Sequence, residues 1–262
     1  MCGIAGFWGP GFGREDGAAT LQRMTDAIRH RGPDDEGQWL DPAAGLALGH
    51  RRLSIIDLSP EGHQPMVSAS GRYVIIYNGE IYNFQELRRV EEHHGARWRG
   101  HSDTEVLLAL IERVGLLEAL RGCVGMFALA VWDREERVLS LARDRLGEKP
   151  LYYGRAGGVL LFGSELKALR AHPGCPTEID RGAIALFLRH NYIPAPYSIH
   201  QGIRKLEPAQ VARFRAPDAA AELANYWSAR EAAAAGLATP FAGGEEEYLE
   251  ALERQLEATV RD

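Results

Sequence analysis

Cys2 is the residue of this sequence with the most chemistry at hand. Removal of Met1, which the small side chain of Cys2 permits, would leave a cysteine whose own α-amine stands beside its thiol. A free α-amine titrates at about 7.7 to 8.0 and a free thiol at about 8.5, so near neutral pH the amine can take the thiol proton without large tuning. One residue then holds both nucleophile and base. The competing reading is a small apolar cysteine opening a buried strand, and composition does not overturn it. Other candidates are equally two-sided. Asn78-Gly79 follows an apolar run and, by itself, reads as a hairpin turn. Asp103 stands in Ser102-Asp103-Thr104-Glu105, a capping-box pattern, where it can cap a helix as readily as bind a ligand. His93, His94 and His101 lack metal-ligand spacing, and His30 and His50 suit packing or hydrogen bonding, so no metal is assigned.

These residues need elements to place them. Cys2 to Trp8 is short, apolar and rich in small residues, which suits a buried strand. Leu21, Met24 and Ile28 recur at helical spacing from Gly17 to His30, until Arg31-Gly32-Pro33-Asp34 breaks the pattern. Leu46 to Leu48 and Tyr73 to Tyr77 read as strands, as do Gly125 to Trp132, Val138 to Ala142, Leu151 to Tyr153 and Val159 to Phe162. The helix after Ser102 uses Val106, Leu107, Leu110, Ile111 and Val114 as its buried stripe. Runs of strands between runs of helices favour an α+β layered domain over an alternating parallel sheet. A helix over about Asp180 to Arg189 and a strand over Ala209 to Phe214 follow. The Ala- and Gly-rich residues Glu231 to Gly244 read as a linker, and Glu245 to Val260 as an amphipathic helix with Leu249, Leu252, Leu256 and Val260 on one face.

The 262 residues carry 30 basic and 36 acidic side chains, a net charge of −6, with the arginines scattered. Nothing in that distribution recommends a nucleic-acid partner. Hydrophobic residues at 45% supply enough apolar surface for a sizeable core. Cys2, Cys123 and Cys175 form no C-x-x-C pair, which fits a reducing cytoplasm better than a disulfide framework or a zinc site. The start lacks the features of a signal peptide, and the apolar stretch from Gly122 to Trp132 is too short to span a bilayer, so no membrane partner is expected.

Several separate segments then agree with one another. Met1-Cys2-Gly3-Ile4-Ala5-Gly6, Arg29-His30-Arg31-Gly32-Pro33-Asp34, His50-Arg51-Arg52-Leu53-Ser54-Ile55-Ile56-Asp57 and Asn78-Gly79-Glu80-Ile81-Tyr82-Asn83 occur in this order. Ser102-Asp103-Thr104-Glu105, the run from Arg143 to Tyr153 and Ser164 to Leu169 follow. Together they resemble the glutamine-hydrolysing asparagine synthetases, which are class II amidotransferases with an N-terminal cysteine, and the likeness covers essentially the whole chain. The Met-Cys-Gly-Ile start is shared by other class II amidotransferases; the Arg-His-Arg-Gly-Pro-Asp and Arg-Leu-Ser-Ile-Ile-Asp segments are more specific.

The resemblance implies a four-layer αββα sandwich of the N-terminal-nucleophile hydrolase type over residues 2–215, a linker over 216–244, and at 245–262 the first helix of an α/β synthetase domain whose remainder is absent. It implies that Cys2 attacks the side-chain amide of L-glutamine and that Asn78 and Gly79 donate to the negative oxygen of the intermediate. It places the substrate carboxylate on Arg52, with Arg51 as a surface residue, and the α-amino group on Asp103 and the backbone around Glu80. Leu53, Ser54, Ile55 and Ile56 line the pocket. Arg143 and Asp144 form a structural or interface pair, and Glu148 stands where relatives carry an apolar residue. No cofactor is expected in this chain. ATP and Mg are implied for the synthetase domain, which acts in cis on aspartate, and its Ser-Gly-Gly-x-Asp-Ser loop occurs nowhere in the sequence. A homodimer is admitted. The competing expectations are a class II amidotransferase with another acceptor and a non-catalytic module of the same fold.

Overall fold

The computed structural model describes residues 1–10, 12 and 14–261 and divides into two compact units, Met1–Tyr226 and Trp227–Asp262, of which Asp262 lies outside the described residues. The first unit is built on two six-stranded sheets. One contains β1 (Gly3–Trp8), β2 (Asp35–Asp41), β3 (Leu46–Arg52), β8 (Tyr152–Ala156), β9 (Val159–Gly163) and β10 (Ile203–Lys205) in the order β10-β8-β9-β1-β3-β2. The other contains β4 (Met66–Val67), β5 (Tyr73–Ile81), β6 (Gly125–Asp133), β7 (Val138–Arg143), β11 (Gln210–Phe214) and β12 (Glu222–Asn225) in the order β12-β11-β7-β6-β5-β4. All of these pairings are antiparallel. Helices α1 (Arg14–Asp26) and α5 (Leu166–Arg170) cover the first sheet. Helices α2 (Phe84–His93), α3 (Asp103–Val114) and α4 (Leu116–Gly122) form the fourth layer, with α3 against β5. The result is the αββα sandwich.

Two apolar faces explain why β1 contains no exposed position. Side chains alternate across a strand, so Ile4 and Trp8 point into the core between the sheets while Ala5 and Phe7 point to the helical side. Between the sheets Ile4 and Trp8 join Leu46, Leu48, Val74, Ile76, Trp132, Leu141 and Phe162; the Trp8 and Trp132 rings meet edge to face at 5.2 Å. On the outer side Ala5, Phe7, Ala47 and Leu161 pack on Leu21, Met24 and Ile28. A strand buried on both faces reads as a continuous apolar run, which is the pattern from Gly3 to Trp8.

Three features depart from the sequence reading. Arg51 is not a surface residue: it is 5% exposed, on the helical side of β3, where it pairs with Asp26 and Glu36 and donates to the Thr25 carbonyl at 3.3 Å. The neighbouring α1 and β2 supply those carboxylates, so the charge is buried with partners. Secondly, the segment read as a linker contains structure. Residues Glu222–Asn225 add an edge strand to β11, and Ala229–Ala238 forms helix α7, capped by Ser228, whose hydroxyl accepts from the Glu231 amide at 3.3 Å. Alanine has the highest helix propensity, and that outweighs the linker-like composition. Thirdly, Asn78-Gly79 lies inside β5 rather than in a hairpin turn. Between α5 and β10 stands α6 (Arg181–His190), capped by Asp180; the second unit contains α7 and α8 (Glu245–Arg261). No helix among the described residues is long and apolar enough to cross a membrane.

Candidate active site

A cleft open to solvent lies where β1 and β3 of one sheet approach β5 of the other. Cys2 immediately precedes β1 and lines it. Its Sγ donates to the Leu53 carbonyl at 3.5 Å and accepts from the Leu53 amide at 3.4 Å, so the loop after β3 holds the sulfur from both directions. The Cys2 carbonyl accepts from Arg31 Nε at 2.8 Å, and Glu165 anchors that guanidinium through Nη1 at 2.9 Å. Burial pushes the Cys2 thiol above its ordinary value, and Asp103 adds to this. The Leu53 amide and the positive charges of the chain terminus and Arg52 oppose it without reversing it. The thiol therefore needs an acceptor for its proton.

Asn78 and Gly79 face the same cleft from β5. Asn78 is 1% exposed, and its Nδ2 meets no acceptor among the described residues. A buried donor costs about 1 to 3 kcal/mol when left unpaired, so this amide is free of the fold's own bonds and suited to a ligand acceptor. Gly79 is tight for a different reason. A Cβ there would overlap the Met126 carbonyl and stand 2.6 Å from Phe127 Cβ on the paired strand β6. β5 is held in register by several bonds besides its ladder. His50 Nε2 donates to the Tyr77 carbonyl at 3.0 Å, the Tyr77 amide donates to Gln64 Oε1 at 2.7 Å, and the Tyr77 hydroxyl donates to Asp103 Oδ2 at 2.8 Å. Full burial lowers His50 to about 4, so the ring is neutral and donates through Nε2.

Arg52 and Asp103 line the same cleft. Arg52 Nη1 donates to the Ser59 carbonyl at 3.0 Å and Nη2 to that of Asp57. Its planar fork is thus oriented by neutral groups and keeps its charge for a ligand. Asp57 in turn accepts from the Ser59 and His101 amides, each at 2.8 Å, tying the loop after β3 to the approach of α3. Ser102 caps α3 by accepting from the Glu105 amide at 3.2 Å, but Glu105 does not close the capping box. Its carboxylate reaches back to the amides of Arg99 and Gly100, each at 3.0 Å. Asp103 Oδ2 also accepts from the Ile81 amide at 3.0 Å, so it ties helix to strand rather than serving only as a cap. Burial raises its pKa, and the Ile81 amide and Tyr77 hydroxyl oppose that shift.

Of the residues singled out from sequence, Cys2, Arg52, Leu53, Ile55, Ile56, Asn78, Gly79, Glu80 and Asp103 all line this cleft. Ser54 does not; its amide donates to Asp34 Oδ2 at 2.9 Å. The sequence reading missed Gln64, Thr104, Met126 and Lys149 on the lining, and Arg31 behind Cys2. Arg31 and Lys149 lie within motif segments but carried no assigned role, because spacing along the chain does not show what a side chain faces. Arg143 and Asp144 do not pair with each other. Asp144 accepts from the amides of Phe127, Leu146, Glu148 and Lys149, while Arg143 donates to the carbonyls of Gly147, Lys149 and Leu206. Together they fix the loop from residue 144 to 149, and Glu148 is accommodated because its side chain is exposed.

The glutamine amidotransferase domain family matches residues 1–227. A putative glutamine-hydrolysing asparagine synthetase of Mycobacterium tuberculosis is 39% identical over 249 residues, which cover 89% of this chain and 38% of that protein. Asparagine synthetase 3 of Bacillus subtilis is 38% identical over 221 residues, 82% of this chain and 35% of the relative. The chain thus spans little more than a third of the length of these relatives. A glutamine phosphoribosylpyrophosphate amidotransferase from B. subtilis superposes with a TM-score of 0.65 at 20% identity, over 86% of this chain and 49% of the other, which shows the shared fold.

Proposed function

The chain belongs to the glutamine amidotransferase domain family, and from that premise we propose that this cleft hydrolyses L-glutamine by covalent catalysis at Cys2, with the ammonia serving amidation of aspartate. The observation that carries the reading is the convergence on one cleft of Cys2, at the head of β1, and Asn78, on β5 of the other sheet, whose Nδ2 meets no acceptor among the described residues. With Met1 removed, the α-amine takes the thiol proton. Sulfur attacks the δ-carbon of the glutamine side chain, and the electron pair moves onto the amide oxygen. Asn78 Nδ2 and the Gly79 amide donate to that oxygen, a contribution worth about 10²- to 10³-fold in rate for a single donor. The intermediate collapses to a γ-glutamyl thioester, the nitrogen leaves as ammonia with the proton held by the α-amine, and water releases glutamate by the reverse sequence of proton transfers.

Arg52 and the pair Asp103 and Glu80 suit the other end of glutamine, whose carboxylate and ammonium need opposite charges. The guanidinium grips the carboxylate bidentately, and the carboxylates hold the ammonium. Leu53, Ile55 and Ile56 line the walls between, and Ser54 belongs to the same loop without lining them. The synthetic half of the reaction requires ATP and Mg in a C-terminal synthetase domain, to which residues 245–262 would lead from a glutaminase domain and linker. Among the described residues no group of three or more His, Cys, Asp or Glu is placed to hold a metal ion, and no step here runs through ATP or Mg.

Purified chain, with loss of Met1 verified by intact mass, is expected to convert glutamine to glutamate and ammonia. Cys2→Ala and a form that retains Met1 should both be inactive, the second because its amine is tied up in a peptide bond. Turnover by Cys2→Ala would overturn the assignment.

A further inference from the structure

Lys149 is a cleft residue to which no part of this chemistry has given a task. Its backbone is fixed on both sides: the amide donates to Asp144 Oδ2 at 2.9 Å and the carbonyl accepts from Arg143 Nε at 2.7 Å. The residue is 5% exposed, yet its ammonium forms no ion pair among the described residues. The group it contacts is the thioether of Met1, with Nζ 3.3 Å from Sδ. A thioether is a weak acceptor, so beside Met1 the ammonium has no neutralising partner.

The contact also gives the position of the charge. Met1 Sδ is separated from the Cys2 nitrogen by five covalent bonds, so the ammonium stands within about 10 Å of that nitrogen, on the same cleft. When Met1 leaves, that nitrogen becomes the α-amine. We propose that Lys149 is a positioning residue of the glutaminase reaction, whose fixed positive charge keeps the freed Cys2 amine in its neutral, proton-accepting form. This rests on the reading of Cys2 as nucleophile and of its amine as base. Other charges face the same amine. Arg31, on the Cys2 carbonyl, and Arg52 act in the same sense as Lys149; Asp57, Glu80 and Asp103 on the cleft wall and Glu165 behind Arg31 act against it. In this balance Lys149 offsets the cleft carboxylates that hold substrate and would otherwise favour the protonated form of the base.

The sign follows from repulsion. A nearby cation disfavours the protonated amine, so it moves the acidic limb of the activity profile to lower pH, and its removal moves that limb up. For one unit charge at about 10 Å, across effective dielectric constants from protein-surface to aqueous values, the shift is about 0.3 to 1.2 pH units. The test is kcat/KM for glutamine against pH at low ionic strength, in Met1-processed wild type, Lys149→Met, Lys149→Gln and Lys149→Arg. The acidic limb is expected to rise by that amount in the Met and Gln variants and to return toward wild type in the Arg variant. Two neutral variants guard against one that fails to fold, with thermal unfolding as the check. Wild-type-like acidic limbs in a folded neutral variant would overturn the role of Lys149, whereas activity in Cys2→Ala would overturn the underlying reading instead.

Discussion

Asn78→Ala separates catalysis from stability in a way that few active-site substitutions can. Asn78 Nδ2 is buried and meets no protein acceptor among the described residues, so truncation to alanine breaks no hydrogen bond from that nitrogen to the protein. What it loses is the packing of a small side chain. The net change in unfolding free energy is expected within about 1 kcal/mol of zero, or about 2 to 4 °C in Tm for a unit of this size. The reaction responds differently, because the donor meets its acceptor only when the amide oxygen becomes negative. Loss of one such donor lowers kcat about 10²- to 10³-fold, equivalent to about 2.7 to 4 kcal/mol, with KM for glutamine little changed. The assay pairs glutamate release under saturating glutamine with thermal unfolding of the same preparation. A fall in kcat of less than tenfold would refute the idea that Asn78 serves the developing oxyanion. A Tm loss of ten degrees would refute the claim that its Nδ2 makes no hydrogen bond to the rest of the fold.

Three further perturbations probe different parts of the framework. Arg52→Lys keeps the charge but loses the fork that Ser59 and Asp57 orient, so KM for glutamine should rise about 10- to 100-fold in steady-state kinetics while Tm falls only modestly. Gly79→Ala forces a Cβ against Phe127 Cβ at 2.6 Å, and the backbone of the paired strand must move; overpacking of about 1 to 3 kcal/mol should lower Tm by several degrees and abolish most activity. His50 has a folded-state pKa near 4, below the roughly 6.5 of an unfolded histidine. The unfolded chain therefore takes up this proton first on acidification, and stability is lost as pH falls from about 6.5 toward 4, by about 2 kcal/mol between pH 7 and pH 5. Urea titrations of His50→Gln across that interval should show a correspondingly shallower pH dependence, and an unchanged slope would contradict the burial argument.

Much of the framework is legible along the chain because its causes are local. The apolar run of β1, the stripe of Val106, Leu107, Leu110 and Ile111 on α3, and the Ser102 cap each depend on residues a few positions apart; Val114, read into the same stripe, ends the helix and is exposed. Cys2 could be singled out by position and thiol chemistry, and the motif segments around Arg52, Asn78 and Asp103 placed them in one family of sites. What the sequence could not decide depends on approach between distant segments. Asn78-Gly79 reads as a turn until its pairing with Ala128 and Phe127 is known, since the same dipeptide serves a turn or a tight strand crossing. Arg51 and Arg52 are adjacent and alike, but strand alternation sends one to the carboxylates beside α1 and the other to the cleft. Lys149 lies 147 positions from Cys2, and only the loop fixed by Arg143 and Asp144 brings its ammonium to the Met1 thioether. The sequence by itself determined which residues have the chemistry for this site. The tertiary structure decided which of them face one another, because burial, unpaired donors and uncompensated charge are properties of packing and not of residue type.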